Sequence, residues 1–226
     1  MKQTLPILAI LLLFSCGKVG VSKTEVKAVD KVIEFYGGQV NRIIGFNMKN
    51  TKKINYFELK ISNSQLLNND QKDLAGHAGN IAYLFYSNLK DEKPNYQEIK
   101  VSIDLQNGES RNYNFSVSDL KEIENLMPFV NKTNTFIRNK DYKGFAETFS
   151  AQFKADEKDL KGLFDELYSR FGEIKEIQFQ GFSFAEDPKV GPYILVKEVL
   201  VLDKEAGRMY LNFDRRTKEI LGLTFE

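Results

Sequence analysis

Tryptophan is absent from the 226 residues, and cysteine and histidine occur once each, as Cys16 and His77. One cysteine excludes an internal disulfide and any cysteine-based zinc site. One histidine excludes a metal shared between histidines. No Ser, Asp or Cys pattern around His77 in "LAGHAG" suggests a nucleophile triad, so it reads as an interface or partly exposed helix residue rather than a general base. Charge of one sign is also missing: 32 basic against 31 acidic side chains leave +1, which makes no electrostatic claim on nucleic acid. No glycine-rich phosphate loop and no Asp-x-Asp calcium spacing is present, so no metal or other cofactor is expected. Long apolar runs are lacking as well. Leu5 to Phe14 is a ten-residue stretch, about half of the ~20 residues that span a bilayer.

What is there begins with the position of that cysteine. Lys2, the apolar run and Cys16 directly after it have the layout of a secretory signal. Leu13-Phe14-Ser15-Cys16-Gly17 resembles the lipobox of bacterial lipoproteins, with Phe14 the one departure from small or medium residues. The resemblance implies cleavage before Cys16, a diacylglycerol on its sulfur and a further acyl chain on its amino group. More than one chain is what stable anchoring requires, at ~0.8 kcal/mol per buried CH₂. The expected organisation is a signal peptide at 1–15, a lipidated tether at 16–22 and a globular remainder. Gly17 is not the aspartate associated with inner-membrane retention, which makes the outer membrane, facing periplasm or surface, the expected address in the cell envelope.

With 42% hydrophobic residues and 18 phenylalanines the remainder can bury a core built on Phe, Leu, Ile and Val. Val26, Val29, Ile33 and Tyr36 fall at helical spacing and Gly37-Gly38 ends them. A hairpin follows over about 40–48 and 55–62, with "KNTKK" as its turn. Leu74, Ala78, Ile81, Phe85 and Leu89 form one helix face, and the small residues Gly76 and Gly79 predict close packing on a sheet. Ile99 to Leu105 and Tyr113 to Val117 alternate around Asn107-Gly108, a second hairpin. Ser118 opens a short helix that Pro128 is expected to end, and Pro128 marks the expected boundary between domains at 23–128 and 129–226.

In the second half a helix reaching Asn139, one begun by Asp141 and an amphipathic one capped by Asp156 precede four strands. The expected class is α+β, two small helix-plus-antiparallel-sheet domains. "FIRNKDYKGFAETFS" and the long strands after the helices resemble the NTF2-like (cystatin-like cone) superfamily, and Gly181 in "QFQGFSF" sits where a bulge would curl the sheet. No catalytic residue is singled out. The carboxylate pairs Asp165/Glu166 and Glu186/Asp187 have polar surroundings, and Arg215, Arg216 and Lys218 read as a solvated turn. A cone could hold an apolar ligand among Phe145, Phe149, Phe164, Phe179, Phe184, Tyr193 and Phe213, or those rings could fill a core. The expected function is a lipid-anchored, non-enzymatic binding or accessory module. Its partners would be the membrane through Cys16 and an envelope protein or small apolar ligand. The alternative is a small hydrolase or isomerase using the cone pocket.

Overall fold

The structure, a computed structural model, describes residues 21–226. The expected signal peptide, Cys16 and most of the expected tether lie outside the described residues. The chain is α+β with two four-stranded sheets. In the first half α1 (Lys23–Tyr36) leads into β1 (Gln39–Lys49) and β2 (Lys52–Ser62). Short α2 (Gln65–Asn69) and long α3 (Leu74–Asn88) then cross to β3 (Glu98–Asp104) and β4 (Ser110–Ser116). Helix α4 (Val117–Arg138), short α5 (Tyr142–Ala146) and α6 (Glu157–Phe171) precede the second sheet. Its strands are β5 (Ile174–Asp187), β6 (Gly191–Leu202), β7 (Ala206–Asp214) and β8 (Ile220–Phe225).

Local chemistry explains most boundaries. Ser22 and Glu25 form a reciprocal capping box that opens α1 at Lys23. Asn50 and Thr51, both at positive φ, make the tight turn between β1 and β2. The helix face expected from Leu74 to Leu89 is α3, and the short α2 precedes it. Asp73 accepts from the Gly76 amide at 3.2 Å and starts α3 afresh.

Two expectations need correction. The first sheet is not wholly antiparallel: β2 and β3 pair in parallel, Tyr56 with Glu98 through Ser62 with Asp104. The intervening α2–α3 segment is a crossover, which is what a parallel pair requires. Pro128 does not end a helix. Helix α4 runs through it from Val117 to Arg138, and the expected boundary at 128 falls inside that helix. Pro128 is on the exposed side, where the carbonyl it leaves unpaired meets water, while Leu120, Ile123, Leu126, Val130 and Ile137 bury the opposite stripe. Two acids near its start reach different halves. Glu124 pairs with Lys93, and Glu122 accepts from Arg215 at 3.1 and 2.5 Å and from Lys218 at 3.4 Å. The Arg215 turn is therefore docked on α4, its guanidinium 4.4 Å from the Phe184 ring, and is not a solvated loop.

The buried residues form one contiguous cluster across both halves, from Val32, Phe57 and Ile81 to Phe164, Leu211 and Ile220. Helix α3 joins them. One of its sides meets α1 and the first sheet, and the other lies on β5. The fit is backbone against backbone. A Cβ at Gly79 would stand 2.9 Å from the Phe182 carbonyl, and one at Gly181 would stand 2.3 Å from the Gly76 carbonyl. Gly181 has φ +148 and follows a register shift that leaves Gln180 unpaired between Phe179 and Gly181, the bulge anticipated in this strand.

Gly181→Val is expected to lower stability by about 3 kcal/mol, because both conformation and space forbid the side chain. Gly162→Ala, on α6 with nothing within 4 Å, is expected to raise it by about 0.5–1 kcal/mol. Urea unfolding midpoints of the two variants check both signs.

Candidate functional site

The strongest concentration of ionisable groups lies where α3 meets the second sheet. Asp70 and Asp73 sit on the turn before α3, His77 one turn into it, Lys197 on β6 and Arg208 on β7. Strands β6 and β7 pair Lys197 with Tyr210 and Val199 with Arg208, so both cations rise from adjacent strands. Arg208 Nη2 donates to Asp70 Oδ2 at 2.6 Å, and His77 Nε2 lies 3.2 Å from the same oxygen. Lys197 Nζ donates to Asp73 and stands 3.9 Å from Asp70. Behind His77, Tyr36 OH lies 3.4 Å from Nδ1, and Asn80 donates to that hydroxyl at 2.9 Å. Asp70 accepts only, which places the imidazole proton on Nε2.

Burial and neighbours set the charges. His77 is 3% exposed, and desolvation, seconded by Lys197, outweighs the Asp70 hydrogen bond and lowers its pKa. Neutral imidazole is thus the resting form at neutral pH. Asp70 is opposed by its own desolvation, yet the His77 hydrogen bond, Arg208 and Lys197 together hold it below the ordinary carboxylate value. Two acids and two bases leave no surplus charge. Cavities of about 370 and 390 Å³ open on either side of the cluster, the first reaching Asn69 and Gln180 and the second Tyr210 and Glu226, with Lys197 and Arg208 in the walls of both.

Inside the second half is a second unusual acid. Glu198 on β6 is 0% exposed and accepts from Asn134 of α4 at 2.6 Å, while its Oε2 has no partner. Desolvation pushes its pKa up to about 7, against lesser lowering by Asn134 and Arg138. The cavities described above are not lined by it.

The expected aromatic pocket residues do not come together around one space. Phe145 and Phe164 are fully buried, 6.2 Å apart, and Phe149 packs on Phe145 at 5.3 Å. Phe213 is buried on β7 opposite Ile220, which bridges to Phe149, while Phe179 meets Tyr83 of α3 at 5.7 Å and Phe184 lies under Arg215. Tyr193 lines a separate surface hollow with Phe153 and Asp187. A shallower cleft of about 280 Å³ opens between α6 and the sheet, walled by Leu163, Leu167, Phe171, Leu200 and Phe225. Asp165 and Glu166 are exposed and pair with Lys161 and Arg170 on the same helix. Asp187 accepts from its own turn amides. Sequence reasoning missed Asp70, Lys197, Arg208 and Glu198. The signal available was polar: Lys197-Glu198 interrupts the apolar "YILV…VLVL" of a strand whose neighbours on both sides are core residues.

Among the described residues no group of three or more His, Cys, Asp or Glu side chains is placed to hold a metal ion, and no helix is long and apolar enough to cross a membrane. The fold and site define an α+β protein whose two sheets meet through a closely packed helix with a charged cluster at its start. No protein-family model and no curated protein matches the chain. Among solved structures, Bdellovibrio bacteriovorus Bd1075 is similar at 15% identity with a TM-score of 0.34. The match covers 78% of this chain and 62% of that protein, so this chain spans less than two thirds of its length.

Removing Asp70 leaves Arg208 and Lys197 facing each other without their shared acid. Asp70→Ala is expected to lose about 3 kcal/mol in denaturant unfolding at neutral pH. Glu198 binds its proton more tightly folded than unfolded, so its contribution is present below pH 4.5 and is lost as pH rises to about 7. Glu198→Gln is expected to remove that slope and to gain up to about 3 kcal/mol above pH 7. Thermal unfolding of wild type and variant across pH 4–8 measures the difference.

Proposed function

We propose that the chain is a lipid-anchored envelope protein acting as a non-enzymatic binding or accessory module, held to the membrane at Cys16. The observation that carries the non-enzymatic reading is the pairing in the charged cluster. Each cation is neutralised by an acid from the other side of the junction, both imidazole nitrogens are engaged, and among the described residues no serine or threonine nucleophile is hydrogen-bonded to His77. Such a network holds α3 to the second sheet and leaves recognition to the surface and the flanking cavities. The signal-like start and the lipobox residues support the anchor and an outer-membrane address, in periplasm or at the surface. Helices α4–α6 followed by an antiparallel meander with a bulged first strand support the NTF2-like reading of the second half.

A second reading, a small isomerase or hydrolase, is favoured by Glu198. A buried carboxyl that exchanges its proton near neutrality is what acid–base catalysis uses. It would need an opening from the sheet interior to Glu198.

Cys16→Ser is expected to move the protein from the membrane fraction to an uncleaved or soluble form. Intact mass of the wild-type protein is expected to show an acylated amino terminus at Cys16. An unacylated terminus, or one at another residue, removes the anchor.

A further inference from the structure

The β1–β2 hairpin outgrows the body it belongs to. Strand β3 supports β2 only from Tyr56 onward, and the last contact beyond that is Gln97, whose amide donates to the Asn55 carbonyl at 2.9 Å. From the Asn47–Ile54 pair to the Lys49–Lys52 pair, β1 and β2 have only each other. Three residue pairs at strand rise project about 10 Å. The two faces of this ribbon follow from register. On one face Val40, Arg42 and Ile44 stand opposite Ile61, Leu59 and Phe57, all three of which are fully buried. The same face continues past the helices that cover it as Phe46 and Met48, 57% and 63% exposed, beside Lys53. Lys53 Nζ sits 4.7 Å from the Phe46 ring. This is a core-type apolar face with nothing on it.

Its charge says what fits. Residues 39–57 carry Arg42, Lys49, Lys52 and Lys53 and no acid, in a chain whose charges as a whole come to only +1. All four are exposed, and among the described residues none forms a salt bridge. Exposed Phe and Met ringed by unpaired lysines match the interface of an anionic bilayer, where rings sit at headgroup depth and lysines meet lipid phosphates.

The chain also enters at this end. Ser22 donates to Glu92 at 2.5 Å, Glu25 accepts from Tyr96, the Tyr96 ring is 5.5 Å from Phe57, and Gln97 bonds Asn55 at the hairpin's root. Cys16 lies six residues before Ser22, a reach of about 20 Å. We propose that the tip of the β1–β2 hairpin, Phe46, Met48, Lys49, Lys52 and Lys53, is a second membrane contact that docks on anionic lipid and fixes the orientation of the protein on the bilayer. The orienting role rests on the Cys16 anchor; the affinity of the tip for anionic lipid does not.

The absence of tryptophan makes the test specific. Phe46→Trp places a lone indole at the tip of the full-length protein, which is mixed with vesicles of phosphatidylcholine alone or with phosphatidylglycerol. Flotation reports the anchor, and emission wavelength with quenching by brominated lipid reports the tip. A blue shift and quenching confined to phosphatidylglycerol vesicles are expected, together with about fivefold weaker tip binding for each lysine changed to glutamine. Flotation without shift or quenching overturns the tip and spares the anchor. Quenching by added anionic vesicles without stable flotation supports the tip and overturns the anchor. A shift that needs no vesicles and grows with protein concentration overturns the proposal in favour of a second copy of the chain. A shift produced only by an added envelope protein overturns it in favour of that partner.

Discussion

The close approach of α3 to β5 is the contact on which the rest of the molecule depends. Gly79 and Gly181 remove the side chains that would hold the helix off the strand, and Gly76 and Phe182 present backbone carbonyls into the space. The helix then sits near enough to the second sheet for Asp70, Asp73 and His77 to meet Lys197 and Arg208. Neither half could bury those groups alone. A charge taken from water costs several kcal/mol unless a partner of opposite sign replaces the hydration, and here each partner comes from the other side of the junction. Geometry from the glycines and electrostatics from the cluster thus impose the same seating of the helix.

Helix α4 repeats the principle on a longer element. Its apolar stripe spans both halves, and its acids reach one cation in each, Lys93 and Arg215. The proline in its middle costs a hydrogen bond on the wet side only. Burial on the dry side runs from Leu120 to Ile137, about five turns, and the summed packing exceeds a local backbone preference worth about 3 kcal/mol. Glu198 stands against this consistency. It is a carboxyl inside a packed sheet, with one satisfied and one orphaned oxygen. Local rules are most often broken where a protein has a use for the group. Glu198 inside and the bare hairpin tip outside are two such places among the described residues; the first favours the enzyme reading and the second carries the proposed membrane contact.

Much of the secondary structure is legible in the sequence because it is local. Alternation marks β2 and β3, the stripe of Leu160, Phe164 and Phe171 marks α6, and Asn107-Gly108 marks a turn. The small residues of α3 pointed to close packing, and the shift of period at Gly181 pointed to a bulge. The charged cluster was not legible. Asp70 and Arg208 are 138 residues apart, and each looks like an ordinary surface charge among many. The parallel pairing of β2 with β3 was hidden for a similar reason: alternation is the same in both directions, and only the path of the crossover decides.

By itself, then, the amino-acid pattern determined most element types, the α+β class and the position of the lone cysteine after an apolar run, while the cap of α4 fell on Ser116 rather than the expected Ser118. Those are properties of neighbours within a few residues, and period and turn chemistry carry them. Tertiary structure decided which helix joins the sheets, that Pro128 lies within a helix, and that Phe145 and Phe164 are fully buried against each other. It also decided that Phe46 and Met48 are left uncovered. Burial is set by what arrives from elsewhere in the chain, and no local pattern states whether an apolar face will find its cover.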